Sequence, residues 1–82
     1  MDMTDRQWQL VEALIPRQNR RGRRRQDDRQ VLNGILWVLR TGEPWKNLPS
    51  EYPSYQTCHR RFLEWKQQGV LNRILETLAR NP

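Results

Sequence analysis

Residues 54–66 read Ser54-Tyr55-Gln56-Thr57-Cys58-His59-Arg60-Arg61-Phe62-Leu63-Glu64-Trp65-Lys66, and their spacing decides the fold. Tyr55, Cys58, Phe62 and Trp65 recur at i, i+3, i+7 and i+10, the period of one stripe on an α-helix. At about 100° per residue, Gln56, Thr57, Arg60 and Glu64 fall on the opposite face, with His59 and Arg61 on its flanks. Ser54 suits the N-cap, where its hydroxyl accepts from backbone N–H groups two or three residues on. Pro53 stops an earlier helix from running in, and Gly69 suits the exit. The spacing therefore predicts a helix with an apolar back and a front of Gln, Thr and Arg near its N-terminus. Such side chains match base edges and phosphates.

Working outward, the elements on both sides are also helical in period. Pro44-Trp45-Lys46-Asn47-Leu48-Pro49 predicts a short helical turn with Pro44 at its first position and Trp45 and Leu48 docked on the core. Residues 50–53 then form a turn, so the order is short helix, turn, amphipathic helix, the layout of a helix-turn-helix reader. Upstream, Val31, Leu32, Ile35, Leu36, Val38 and Leu39 give a wide apolar face to a helix capped by Asp27 or Asp28 and stopped at Gly42. These two adjacent acids read as caps rather than metal ligands. Gly34, inside that helix, predicts the close approach of a neighbour. Thr4 and Gln7 have capping-box spacing, with Asp5 in the first turn, and Trp8, Val11, Leu14 and Ile15 continue a supporting helix up to Pro16. Val70, Leu71, Ile74, Leu75 and Leu78 mark a last helix to about Arg80, whose stripe either closes the core or is shared with a second copy. The fold class expected is all-α, a single domain over residues 1–82 of four main helices with a helix-turn-helix core.

Between the first two helices the chain changes character. Arg17, Arg20, Arg21, Arg23, Arg24 and Arg25 follow one another with no acid between Glu12 and Asp27. A block of this kind repels itself as a regular helix. It predicts an arm at residues 17–26, a solvated loop in the free protein that orders along a phosphate backbone.

Composition narrows the function. Hydrophobic residues are 35% of 82 and the mean hydropathy is −1.05, so the core must be modest. Four tryptophans are expected to enlarge it. A net charge of +6, with 15 Lys and Arg against 9 Asp and Glu, favours a polyanionic partner, nucleic acid ahead of membrane. One cysteine and one histidine exclude an internal disulfide and a zinc ligand set. No apolar run has the length of a membrane span and the start lacks a signal peptide's charge pattern, so a cytoplasmic, nucleoid-associated protein is expected.

Residues 24–42, Pro44-Trp45-Lys46-Asn47-Leu48-Pro49 and Tyr55-Gln56-Thr57-Cys58-His59-Arg60-Arg61-Phe62-Leu63-Glu64-Trp65 closely resemble the N-terminal domain of bacterial insertion-sequence DDE transposases. The opening Thr4-Asp5-Arg6-Gln7-Trp8 resembles the start found in one branch of them. The resemblance implies a helical domain that binds the terminal inverted repeats of the element, with the catalytic carboxylates in a separate RNase H-like domain. Where the family's basic segment usually carries Gly-Arg-Pro-Arg, this chain has Gly22-Arg23-Arg24-Arg25, which argues against a hooked minor-groove contact. These 82 residues end before any such catalytic domain, and the expectation is a DNA-binding protein that is not an enzyme and needs no cofactor or metal. The DNA-binding residues expected are Arg21, Arg23, Arg24, Arg25, Lys46, Ser54, Gln56, Thr57, Arg60 and Arg61, and the partner is double-stranded DNA. Its role would be that of a first-frame product of the element or a small transcriptional regulator. A homodimer, or assembly with a full-length transposase, is a further partner expectation; the alternatives in function are an interaction module that regulates a full-length transposase by mixed assembly through the last helix, and an RNA binder. The aromatics read mostly as core, which counts against the RNA binder.

Overall fold

Thr4 starts the first helix as its spacing requires. Its hydroxyl accepts from the Gln7 N–H at 3.1 Å, and the Gln7 side chain accepts from the Thr4 N–H at 2.9 Å. The computed structural model describes residues 2–16 and 28–81; the arm expected at 17–26 lies outside them, as does Asp27. The described chain contains α1 (Asp5–Glu12), α2 (Asp28–Thr41), a 3-10 turn (Trp45–Asn47), α3 (Tyr55–Gln67) and α4 (Val70–Arg80), with no strand among the described residues. The all-α class is as the periodicity requires. α1 is shorter than Pro16 would allow, since Ala13 already caps it and residues 13–15 turn.

The core is built around α2. Val31, Leu32, Ile35 and Leu36 are buried together with Val11 of α1, Cys58 and Trp65 of α3, and Leu71, Ile74 and Leu78 of α4. α2 packs on α3, α3 on α4, and α4 on α1. Of the two uses open to the α4 stripe, closing the core is the one found. Leu39 has the right period for the α2 face but is 42% exposed, because it lies in the last turn, where residues 40–44 are all at the surface. The tryptophans also divide: Trp65 is buried, whereas Trp8, Trp37 and Trp45 are half-buried. The rings of Trp8 and Trp45 pack on the edge of the core rather than fill it.

Three residues make long-range polar contacts that have no periodic signal. Asn33 is 4% exposed and its Oδ1 accepts from the Met3 backbone N–H at 2.9 Å. Arg29 donates to the Met3 carbonyl at 3.1 Å and pairs with Asp5 at 2.9 Å. Tyr52, in the turn before α3, is buried and donates its hydroxyl to Asp2 at 2.8 Å. Burial first, then the Asp2 carboxylate, push its phenol up to about 12. Residues 2–4 are thus strapped onto α2 and the turn, and Met3 joins the core.

Gly34 marks the tightest crossing. A Cβ placed on it would lie 2.9 Å from Cys58 Sγ and 3.4 Å from Tyr52 Cβ. Cys58 cannot easily retreat: it is fully buried, and its thiol lies 3.7 Å from the Pro53 carbonyl it donates to. Burial pushes that thiol up to about 11, with Arg61 opposing the shift. Gly34→Ala gains about 1 kcal/mol of helix propensity but overpacks the core at a cost of about 1–3 kcal/mol. A net loss of about 1 kcal/mol is expected in urea denaturation, and adding Cys58→Ala should make the alanine less harmful than it is alone. Equal penalties in both backgrounds would show that this crossing is not the constraint.

Candidate nucleic-acid interface

α3 is fixed from behind by Cys58, fully buried, and Trp65, 3% exposed. Those two lie seven residues apart, and the residues between them on the same side are Arg61 and Phe62, both half-buried. The inward stripe is therefore 58, 61, 62 and 65 rather than 55, 58, 62 and 65. Tyr55, expected on the apolar back, is 39% exposed: it is the first residue of α3 and lies at the edge of the Cys58–Trp65 stripe, on the side away from Arg61.

That rotation sorts the candidate residues. Gln56 and Arg60 are exposed and lie on the outward face with His59, Leu63 and Gln67. Leu63 is 48% exposed in the middle of this otherwise polar surface. Ser54 is exposed but serves the helix start: its Oγ accepts from the Thr57 N–H at 3.3 Å and donates to Thr57 Oγ1 at 3.1 Å. Thr57 is half-buried beside it. Arg61 is committed inward, donating to Asp28 Oδ1 at 2.8 Å, with its guanidinium 5.4 Å from the Trp65 ring centroid. Asp28, expected as a cap, is the first residue of α2 and holds this arginine.

Lys46 is exposed on the 3-10 turn. Pro44 stands at the cap of that turn, one place earlier than expected. The neighbouring Trp45 packs its ring 5.1 Å from His59 and 5.3 Å from Phe62, which docks the turn on the first half of α3. Lys66 lies over the far side of this cluster, its Nζ 5.6 Å from the Phe62 ring centroid. Lys46, Arg60 and Lys66 therefore project basic charge around the outward face, while the charge of Arg61 is matched by Asp28.

Arg21, Arg23, Arg24 and Arg25 lie outside the described residues, but the two ends of the chain that carry them are placed. Pro16 and Asp28 line one hollow of about 160 Å³ with Trp8, Glu12 and Ile15. Through Asp28 and Arg61 that hollow adjoins the flank of α3. Sequence reasoning missed this tie because the two residues are 33 apart. Among the described residues no three His, Cys, Asp or Glu side chains gather into a metal-holding group, and no helix is long and apolar enough to cross a membrane.

Comparison with known proteins places the chain. The family model described as "Putative transposase of IS4/5 family (DUF4096)" matches residues 3–75. The chain belongs to that family. The match takes in α1, α2, the 3-10 turn, α3 and the first half of α4, and it contains every motif on which the resemblance to transposase N-terminal domains rests. "Insertion element IS402 uncharacterized 16.2 kDa protein" of Burkholderia cepacia is 41% identical over 81 residues, covering 90% of this chain and 55% of the relative. "Uncharacterized protein y4sN" of Sinorhizobium fredii (strain NBRC 101917 / NGR234) is 34% identical over 80 residues, covering 95% of this chain and 63% of the relative. The chain thus spans between half and two-thirds of the length of these relatives. No solved structure matches it.

Proposed function

We propose that this transposase-family chain binds double-stranded DNA without catalysing a reaction, as a helix-turn-helix domain in which the 3-10 turn supports α3 and α3 reads the major groove. Its target would be the terminal inverted repeats of an insertion element, or an operator in a transcription-regulating role on the nucleoid. The observation that carries this reading is the outward face of α3. Gln56 and Arg60 stand exposed in its first turns, where a reading helix makes its base contacts. The back of the helix is locked by Cys58 and Trp65, so the front is held rigidly. Lys46 and the arginines at 21, 23, 24 and 25 would supply phosphate contacts from either side. Ser54 and Thr57 would contribute from the helix start, and Arg61 by holding α3 against the base of the arm. Mixed assembly with a full-length transposase through α4 has less support, because Leu71, Ile74 and Leu78 are already buried within the chain.

The test begins with a duplex selected from a random pool by the intact protein. Gln pairs with adenine and Arg with guanine, each worth about 1–3 kcal/mol of discrimination. Gln56→Ala and Arg60→Ala should leave the melting curve unchanged and lower the ratio of selected-site to random-duplex affinity by roughly 5- to 150-fold. Full retention of sequence preference in both variants would rule out α3 as the reader.

A further inference from the structure

The single histidine of the chain has no part in the reading above, yet its placement is specific. His59 is exposed, on the same side of α3 as Gln56 and Leu63. Its imidazole is held against the Trp45 ring at 5.1 Å and lies near-parallel to the Phe62 ring, 16° off and 6.4 Å away. It therefore stands at the seam where the 3-10 turn meets α3, in contact with aromatic rings and exposed to solvent.

The charged and titratable groups around that seam carry both signs, with three cations against two acids. On the turn side they are Lys46 and Glu43, whose carboxylate accepts from the Asn47 side chain at 2.9 Å. On α3 they are Arg60 beside it, Tyr55 one turn before and Lys66 two turns after, with Glu64 round the helix. Among the described residues the ion pairs join Arg29 to Asp5 and Arg61 to Asp28, so no carboxylate pairs with His59. A DNA phosphate docked on this face would give the ring an anionic partner.

We infer that His59 is a phosphate contact that takes up one proton from solvent when DNA docks, so that affinity for duplex DNA rises as pH falls. This rests on the DNA-binding reading and adds to it a coupled proton. The sign follows from linkage. A phosphate beside the ring favours its charged form, so the complex binds more protons than the free protein, and lowering the pH drives association. A histidine ordinarily changes charge between about pH 5 and 8, and one coupled proton changes affinity by at most about tenfold per pH unit. Arginine and lysine remain charged across that range, which leaves His59 as the side chain that can respond.

The experiment measures affinity for one duplex at pH 7.5 and 5.5, at fixed ionic strength, for the intact chain and for His59→Gln and His59→Arg. The intact chain should bind roughly 3- to 10-fold more tightly at the lower pH. His59→Gln should bind at both pH values like the intact chain at pH 7.5, and His59→Arg at both like the intact chain at pH 5.5. A rise that survives in His59→Gln assigns the proton elsewhere, the α-amino group included, and overturns the inference. Tight binding without pH dependence overturns it while leaving the DNA reading in place. Absence of binding at either pH overturns both. Melting curves of the two variants at both pH values confirm that the folded protein is being compared.

Discussion

Trp65→Ala should be the most damaging single substitution in α3, costing about 3–5 kcal/mol. The ring is 3% exposed, and its removal empties the space where α3 meets the rest of the core. It also leaves the Arg61 guanidinium, 5.4 Å from the ring centroid in the intact chain, without its aromatic partner. A domain of this size has stability near the low end of about 5–15 kcal/mol. The variant should therefore melt far below the parent and be largely unfolded at physiological temperature. Phe62→Ala should cost about 1–2 kcal/mol, since that ring is half-buried and packs mainly on Trp45 and His59. Tyr55→Ala should change stability by less than about 0.5 kcal/mol, its side chain being at the surface. Urea denaturation of the three variants measures the order. Equal losses for Trp65 and Phe62 would mean that the inward stripe had been placed at the wrong angle.

That graded series differs from what the residue pattern alone supports, and the reason is geometric. A repeat at i, i+3, i+7 and i+10 defines a stripe only to within a residue on either side. Tyr55 and Arg61 are both close enough to the boundary to fall either way. Apolar character favours Tyr55 as the buried one, but Asp28 at the start of α2 provides Arg61 with a partner at 2.8 Å, and the helix is turned accordingly. Sequence signals hold better where the physics is local. The Thr4–Gln7 capping box, the positive φ of Gly42 and Gly69 at the helix exits and the apolar period of α4 each depend on residues a few positions apart. Gly34 is legible for the same reason, because a glycine in an otherwise strong helix costs about 1 kcal/mol unless something needs the space. Asn33 and Tyr52 are not legible. Each looks like an ordinary surface polar residue until Met3 and Asp2, 30 and 50 positions away, are brought against it. Within the candidate site, the front of α3 can be read from sequence. What holds Lys46 and His59 beside it, the Trp45 ring, depends on how the 3-10 turn docks.

The largest effect on binding should come from the arm. Replacing Arg21, Arg23, Arg24 and Arg25 with Ala removes four charges from a segment without acids. Each phosphate left without its arginine should lower the slope of log affinity against log salt by about 0.9. Four such phosphates amount to a slope change of about 3.6, so between about 50 and 200 mM salt the variant's affinity should fall by a factor roughly a hundredfold smaller than the parent's. The difference in affinity between the two should be greatest at low salt, where counterion release contributes most. It should fall on the selected duplex and on random duplexes alike, because phosphates carry no sequence information. This separates the arm from α3, where Gln56→Ala and Arg60→Ala should change the ratio between duplexes. The arginines are expected to contribute nothing to the core, so the melting curve of the free variant should match that of the parent or lie slightly above it, with self-repulsion relieved. A variant that kept the parent's affinity and salt slope would show that these arginines only solvate the surface, and the polyanion would then have to be held by other cations, Lys46, Arg60 and Lys66 on and beside α3 first among them. Those three cations alone would limit the slope to about 2.7 in magnitude, so a parent slope well above that value requires contacts from outside the α3 face, the arm's Arg17 and Arg20 included.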